Sequence, residues 1–130
     1  MDGFTAEDPD VLIARVQDQV AAAQQRAQAA QQMRAQVEAV RGTAYSQRRE
    51  LSVTVDASGR LVDVELSDAA LDLRARDLSR LIITTAQAAS RDAGQQAVGL
   101  AAAAFGEDSP VVARLRDEVT ARTGVPDEER

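Results

Sequence analysis

Three observations predict an α+β fold. From Val11 to Arg41 the chain has no Gly or Pro, and its apolar residues step alternately by three and four. Two short stretches, residues 51–55 and 61–66, alternate apolar with polar residues. A second alanine-rich helical run extends from about Ala75 to Phe105. Read in order, they give a long N-terminal helix, a small antiparallel sheet, a long C-terminal helix and a short extra helix.

The first helix opens at Asp8-Pro9-Asp10, where a carboxylate can cap and proline is tolerated in the first turn. Ile13, Val16, Val20, Ala23, Ala27, Ala30, Arg34, Val37 and Arg41 form a heptad seam over four repeats. An ordinary amphipathic helix on a core would explain part of it. The length of the seam favours an arm that pairs with another helix. Gly42 ends the run. Leu51, Val53 and Val55 alternate with Ser52 and Thr54, and Val62, Val64 and Leu66 alternate with Asp63 and Glu65. Asp56-Ala57-Ser58-Gly59 between them reads as a turn, with Asp opening it and Gly able to take positive φ. This hairpin has one apolar face, and two strands alone are marginal. Residues 43–47 can supply a third strand, and a partner subunit can extend the sheet further.

Ser67-Asp68 can cap the next segment, in which Leu71 and Leu73 are expected to pack against the sheet. In the second long helix Leu78, Leu81, Ile82, Thr85, Ala89 and Leu100 mark the buried side, and Gly94 and Gly99 allow a bend. Gly106 breaks it. Ser109-Pro110 starts the last helix, with Val112, Leu115 and Val119 on one face, and Gly124 and Pro126 end it. The domain reading is a disordered acidic lead-in at 1–10, a dimerisation and binding domain at 11–106, and an extra helix with a frayed tail at 107–130.

Composition narrows the chemistry. The chain has 130 residues with no His, Cys or Trp. That removes the usual acid–base and nucleophilic centres, the commonest metal ligands and any disulfide, so neither enzyme nor cofactor is expected. The acidic start lacks the apolar run of a signal peptide, and no stretch approaches a membrane span, so a cytoplasmic address is expected. All 15 basic residues are Arg, a bias that G- and C-rich genomes tend to give. Alanine dominates the apolar share and buries little surface per residue, which points to oligomerisation as a way to bury more.

The stretch Val37-Glu38-Ala39-Val40-Arg41-Gly42-Thr43-Ala44 leads into Leu51-Ser52-Val53-Thr54-Val55-Asp56-Ala57-Ser58-Gly59-Arg60-Leu61-Val62-Asp63-Val64-Glu65-Leu66-Ser67. Ala70-Leu71, Asp77-Leu78 and a helix studded with Ala86, Ala89 and Ala93 follow. Over about residues 12–96 this resembles the YbaB/EbfC family of small nucleoid-associated proteins. The resemblance implies a tweezer-like homodimer with the sheets joined at the centre, DNA binding with little sequence preference, and no catalysis. Tyr45-Ser46-Gln47-Arg48-Arg49-Glu50 stands where many members are glycine-rich, and residues 107–130 look like an addition. Some actinobacterial relatives of this fold belong to type VII secretion loci, so an acidic protein-interaction scaffold or accessory protein is the alternative on the same fold.

Net charge is −6, which opposes DNA binding taken whole, because affinity comes largely from phosphate neutralisation. The charge is uneven. Residues 11–60 carry seven Arg against four acids, and within 26–49 Glu38 is the sole acid. Arg26, Arg34, Arg41, Arg48, Arg49 and Arg60 are the candidate double-stranded DNA contacts. The bland alternative is a solvated face whose arginines pair with nearby acids. Tyr45, Leu51, Val53, Val55, Val62, Val64 and Leu66 are the candidate dimer interface. The last helix, through Val112, Leu115 and Val119, is a candidate surface for another protein or for the body of the dimer. Asp63 and Glu65 share a strand face that reads as solvated, not as a metal or acid–base pair.

Overall fold

The computed structural model describes residues 8–123. The chain divides into two compact units, residues 1–34 and 35–130. Helix α1, Pro9–Glu38, supplies the described part of the first and gives its last turn to the second. Asp8 caps it, its Oδ1 accepting the Asp10 N–H at 3.0 Å. No residue of α1 is buried, and Ile13, Val16 and Val20 stay about half exposed. Among the described residues, the apolar start of the seam is therefore not buried.

In the second unit, β1 (Gly42–Tyr45), β2 (Leu51–Val55) and β3 (Leu61–Leu66) form an antiparallel sheet in sequence order. The third strand that residues 43–47 offered is β1. Leu51 faces Leu66, Val53 faces Val64, and an irregularity after Thr54 brings Val55 opposite Leu61. The turn between β2 and β3 forms as its residues require. Asp56 Oδ1 accepts the Ser58 and Arg60 N–H groups, and Gly59 takes φ +87°.

Helix α2 (Ala75–Phe105) covers one face of the sheet. Leu51, Val53 and Val55 are buried with Ala89 and Ala93, and Val40, just past α1, completes the cluster. Gly42 owes its identity to this layer. A Cβ there would lie 2.5 Å from Ala93 N and closer still to the Ala89 carbonyl. The opposite face is polar: the register aligns Thr43 with Thr54 and Asp63, and Tyr45 with Ser52 and Glu65.

A 3-10 turn, Asp68–Asp72, joins β3 to α2. It corrects one expectation: Leu71 is 68% exposed, and Ala70 is the residue turned inward. The tight turn stacks only every third residue on one face, so Ala70 takes the inward position and its neighbour Leu71 does not. Helix α2 runs unbroken through Gly94 and Gly99. Helix α3 (Pro110–Thr123) begins as its sequence suggests, Ser109 Oγ accepting the Val111 N–H at 3.1 Å. It lies on α2, where Val112 and Val119 are buried along with Gly94, Ala97, Val98 and Ala101. A Cβ on Gly94 would run into both methyls of Val119. The largest fully buried side chains are Val53, Val55 and Val112, the thin core an alanine-rich composition predicts. The expected tail, residues 125–130, and most of the acidic lead-in lie outside the described residues.

Candidate nucleic-acid interface

Arg26 and Arg34 are exposed on α1, in the first unit. At eight residues' separation they stand about 80° apart around the helix axis, so they share one broad face. The other four candidates belong to the second unit. Helix α1 ends at Glu38, so Arg41 does not continue a helical line. Its Nη1 donates instead to the carbonyls of Glu38 (3.0 Å) and Val40 (2.7 Å). Helix ends leave carbonyls without intrahelical partners, and a guanidinium is favoured there by hydrogen bonding and by the helix dipole.

Arg60 closes the β2–β3 turn. Its side chain is 82% exposed, with Nε 3.9 Å from Asp56 Oδ2. The Asp56 carboxyl is held below its ordinary pKa, first by the Ser58 hydroxyl and then by the Arg60 N–H, with the nearby guanidinium adding a smaller share. Because Gly42 pairs with Val55, Arg41 and Arg60 lie at the same end of the sheet.

Arg48 and Arg49 lie at the other end, in the connection after Tyr45, which pairs with Ser52. Ser46 organises this turn. Its hydroxyl donates to Glu50 Oε1 at 2.7 Å and accepts the Leu51 N–H at 3.1 Å, while its carbonyl accepts the Arg49 N–H at 2.8 Å. The Ser46 hydroxyl is also the main reason that Glu50 titrates below its usual range. Arg49 takes φ +58°. That conformation swings its guanidinium to 4.3 Å from the Tyr45 ring centroid, a cation–π arrangement. Within the second unit the candidate arginines thus gather at two ends of a sheet, Arg41 and Arg60 at one and Arg48 and Arg49 at the other.

One arginine at this surface escaped sequence reasoning. Arg122, in the last turn of α3, donates through Nη2 to the Ala57 carbonyl at 3.3 Å. That contact spans 65 residues, and no local pattern announces it.

Of the interface candidates, Leu51, Val53 and Val55 are only 2%, 0% and 1% exposed and are occupied under α2. Val64 is half-buried. Tyr45, Val62 and Leu66 remain about half exposed, as does Leu61. They frame an asymmetry between the sheet's edges. At the start of β1 the outer edge is already occupied: Asp92 Oδ2 accepts the Thr43 N–H at 3.0 Å, and Gln96 Nε2 donates to the Arg41 carbonyl at 2.9 Å. Strand β3 is the open edge.

Asp63 and Glu65 are exposed. Among the described residues no group of three or more acids could hold a metal ion, and no helix is long and apolar enough to cross a membrane. Residues 13–107 match the YbaB/EbfC DNA-binding family. No curated protein and no solved structure matches the chain.

Proposed function

The chain belongs to the YbaB/EbfC DNA-binding family, which is non-enzymatic, and on that footing we propose that it is a nucleoid-associated homodimer gripping duplex DNA through its phosphates. The observation that carries the reading is the placement of Arg41 and Arg60 at one end of the sheet and Arg48 and Arg49 at the other, all exposed. With Arg26 and Arg34 on α1 they supply cations without a groove-reading element. Guanidinium–phosphate contacts position a protein on the duplex but carry no sequence information. The site of action is then the nucleoid, in the cytoplasm.

The homodimer rests on the open edge of β3, where Leu61, Val62 and Leu66 are left half exposed. Edge strands with exposed apolar residues tend to pair with another strand, here against the opposing charge of the exposed Asp63 and Glu65. A second β3 is the partner of matching shape.

The test is a mobility-shift titration of a mixed-sequence duplex at about 50 mM salt, with the same series repeated at higher salt. Binding should be similar for unrelated sequences. The pair Arg48→Ala with Arg49→Ala should weaken it for all of them and lower the log–log salt slope by about 1 to 2 units. Absence of any shift at protein concentrations well above the weak non-specific range (about 100 µM) would overturn the reading.

The net charge of −6 favours a second reading, an acidic scaffold or accessory protein on the same fold. Its other motive is weaker, because Val112 and Val119 are spent on α2 within the chain. Pull-down from native lysate separates the two: this reading requires a stoichiometric protein partner that survives nuclease treatment.

A further inference from the structure

We propose that the β2–β3 turn and the last turn of α3 form one phosphate clamp on duplex DNA, with Arg122 as its third cation beside Arg41 and Arg60. The inference rests on the DNA-binding reading and adds to it a contact from outside the matched segment, residues 13–107.

Three guanidinium groups from three elements border the turn at residues 56–60. Arg41 lines a hollow with Asp56, Ala57 and Ser58. Arg60 belongs to the turn itself. Arg122 reaches it from α3, through its bond to the Ala57 carbonyl and through Nε and Cδ, which lie 3.4 and 3.6 Å from where a Gly59 Cβ would be. Arg41 and Arg122 are held alike. Each donates to backbone carbonyl through one terminal nitrogen. Among the described residues neither forms an ion pair. A guanidinium offers five N–H donors, so one anchored nitrogen leaves enough for a phosphate oxygen pair.

Two acids lie close: Glu38 lines the same hollow and offsets part of the charge, whereas Asp56 is largely committed to its own turn. Asp56 spends Oδ1 on Ser58 N, Ser58 Oγ and Arg60 N. Its remaining contact, to Arg60 at 3.9 Å across an 82% exposed side chain, is of the kind that contributes little. Anchored, exposed arginines lose less rotamer freedom on binding than free ones, which suits them to the evenly spaced anions of a DNA strand.

The experiment compares full-length wild type, Arg122→Gln, Arg122→Lys and Arg114→Ala in the same salt-dependent DNA titration, with thermal unfolding recorded for each. Glutamine keeps a polar side chain of similar stem and removes the charge. Lysine keeps the charge. Arg114 is exposed on the same helix, with no part in the clamp. The expected result is that Arg122→Gln unfolds like wild type, binds about 3- to 10-fold more weakly on every sequence, and loses about one unit of salt slope per phosphate contact removed. Arg122→Lys should recover most of the slope, and Arg114→Ala should bind as wild type does. If wild type binds DNA and Arg122→Gln matches it in affinity and slope, the clamp is wrong and the DNA-binding reading stands. Equal losses in Arg114→Ala and Arg122→Gln would reduce Arg122 to bulk charge and also overturn the clamp. If wild type does not bind, both fall.

Discussion

Asp56 performs three tasks with one carboxylate: it caps its own turn, ties Ser58 and Arg60 in place, and so sets the geometry from which Arg60 points outward. Those bonds favour the ionised form, so its folded-state pKa is lowered. The unfolded chain then binds more protons than the folded one as the pH drops below about 4. The stability Asp56 contributes is fully present above that value and is lost as pH falls through the folded pKa. Asp56→Asn should therefore flatten the acid limb of a urea-unfolding series taken from pH 7 to pH 2, with the largest difference from wild type at the neutral end. An acid limb of unchanged steepness would mean that the turn does not depend on this ionisation. Asp56 and Gly59 were both legible in the sequence, because an Asx-type turn is a local matter. Gly42 and Gly94 were not. Their reasons are the Ala89 carbonyl and the Val119 methyls, and no periodicity encodes a close approach between distant segments. Arg49 is a further case: its positive φ and its stacking on Tyr45 belong to a turn whose residues, unlike glycine or asparagine, do not advertise that conformation.

Helices and strands followed their patterns closely, from the Asp8 cap and the Ser109–Pro110 start to the alternation of β2 and β3. What the patterns concealed is the second buried face of α2. Thr85 and Ala89 sit on the face that leucine and isoleucine mark, but Ala97, Val98 and Ala101 are also buried. Alanine looks the same on every side of a helix, so a face made of it gives no periodic signal. Helix α3 uses that face. Its Val112 is fully buried and Val119 nearly so, and small residues on α2 let the two backbones come close. Val112→Ala should cost about 2 kcal/mol in urea unfolding, the transfer of two methyl groups plus part of a cavity. Val111→Ala, at an exposed neighbour, should cost a few tenths at most. Equal effects at the two positions would show that α3 does not dock on α2 in solution. The same docking gives α3 its value for binding, because it holds Arg122 against the β2–β3 turn. The helix that looked like an addition is, between Pro110 and Thr123, positive by three arginines to two acids. The other five acids of the extension lie outside it, at Glu107 and Asp108 before and at 127–129 after.

For the molecule as a whole, assembly and DNA binding should respond to salt in opposite directions. Attraction between a net-negative protein and a polyanion is confined to local arginine clusters, so DNA affinity must fall steeply as salt rises. Pairing through β3 has a different balance. Apolar Leu61, Val62 and Leu66 drive it, but an antiparallel match of β3 with its own copy also draws together Asp63 and Glu65 from both strands. Like charges directly across a sheet are destabilising, and on an exposed face salt screens them. Light scattering at micromolar concentration should therefore find a dimer that is retained or strengthened between low and high salt, where DNA binding is lost. Val62→Lys places a charge on the open edge of a strand whose other side is already paired to β2. It should yield a folded monomer with wild-type helix content, because Val62 is half exposed and contributes little to the core of a single chain. That monomer should bind DNA more weakly than the dimer at every salt concentration, since one set of arginines replaces two on the same duplex and the gain from linked sites disappears. A Val62→Lys protein that remains dimeric would place the subunit contact elsewhere, with the exposed Ile13–Val16–Val20 seam of α1 as the next surface to charge.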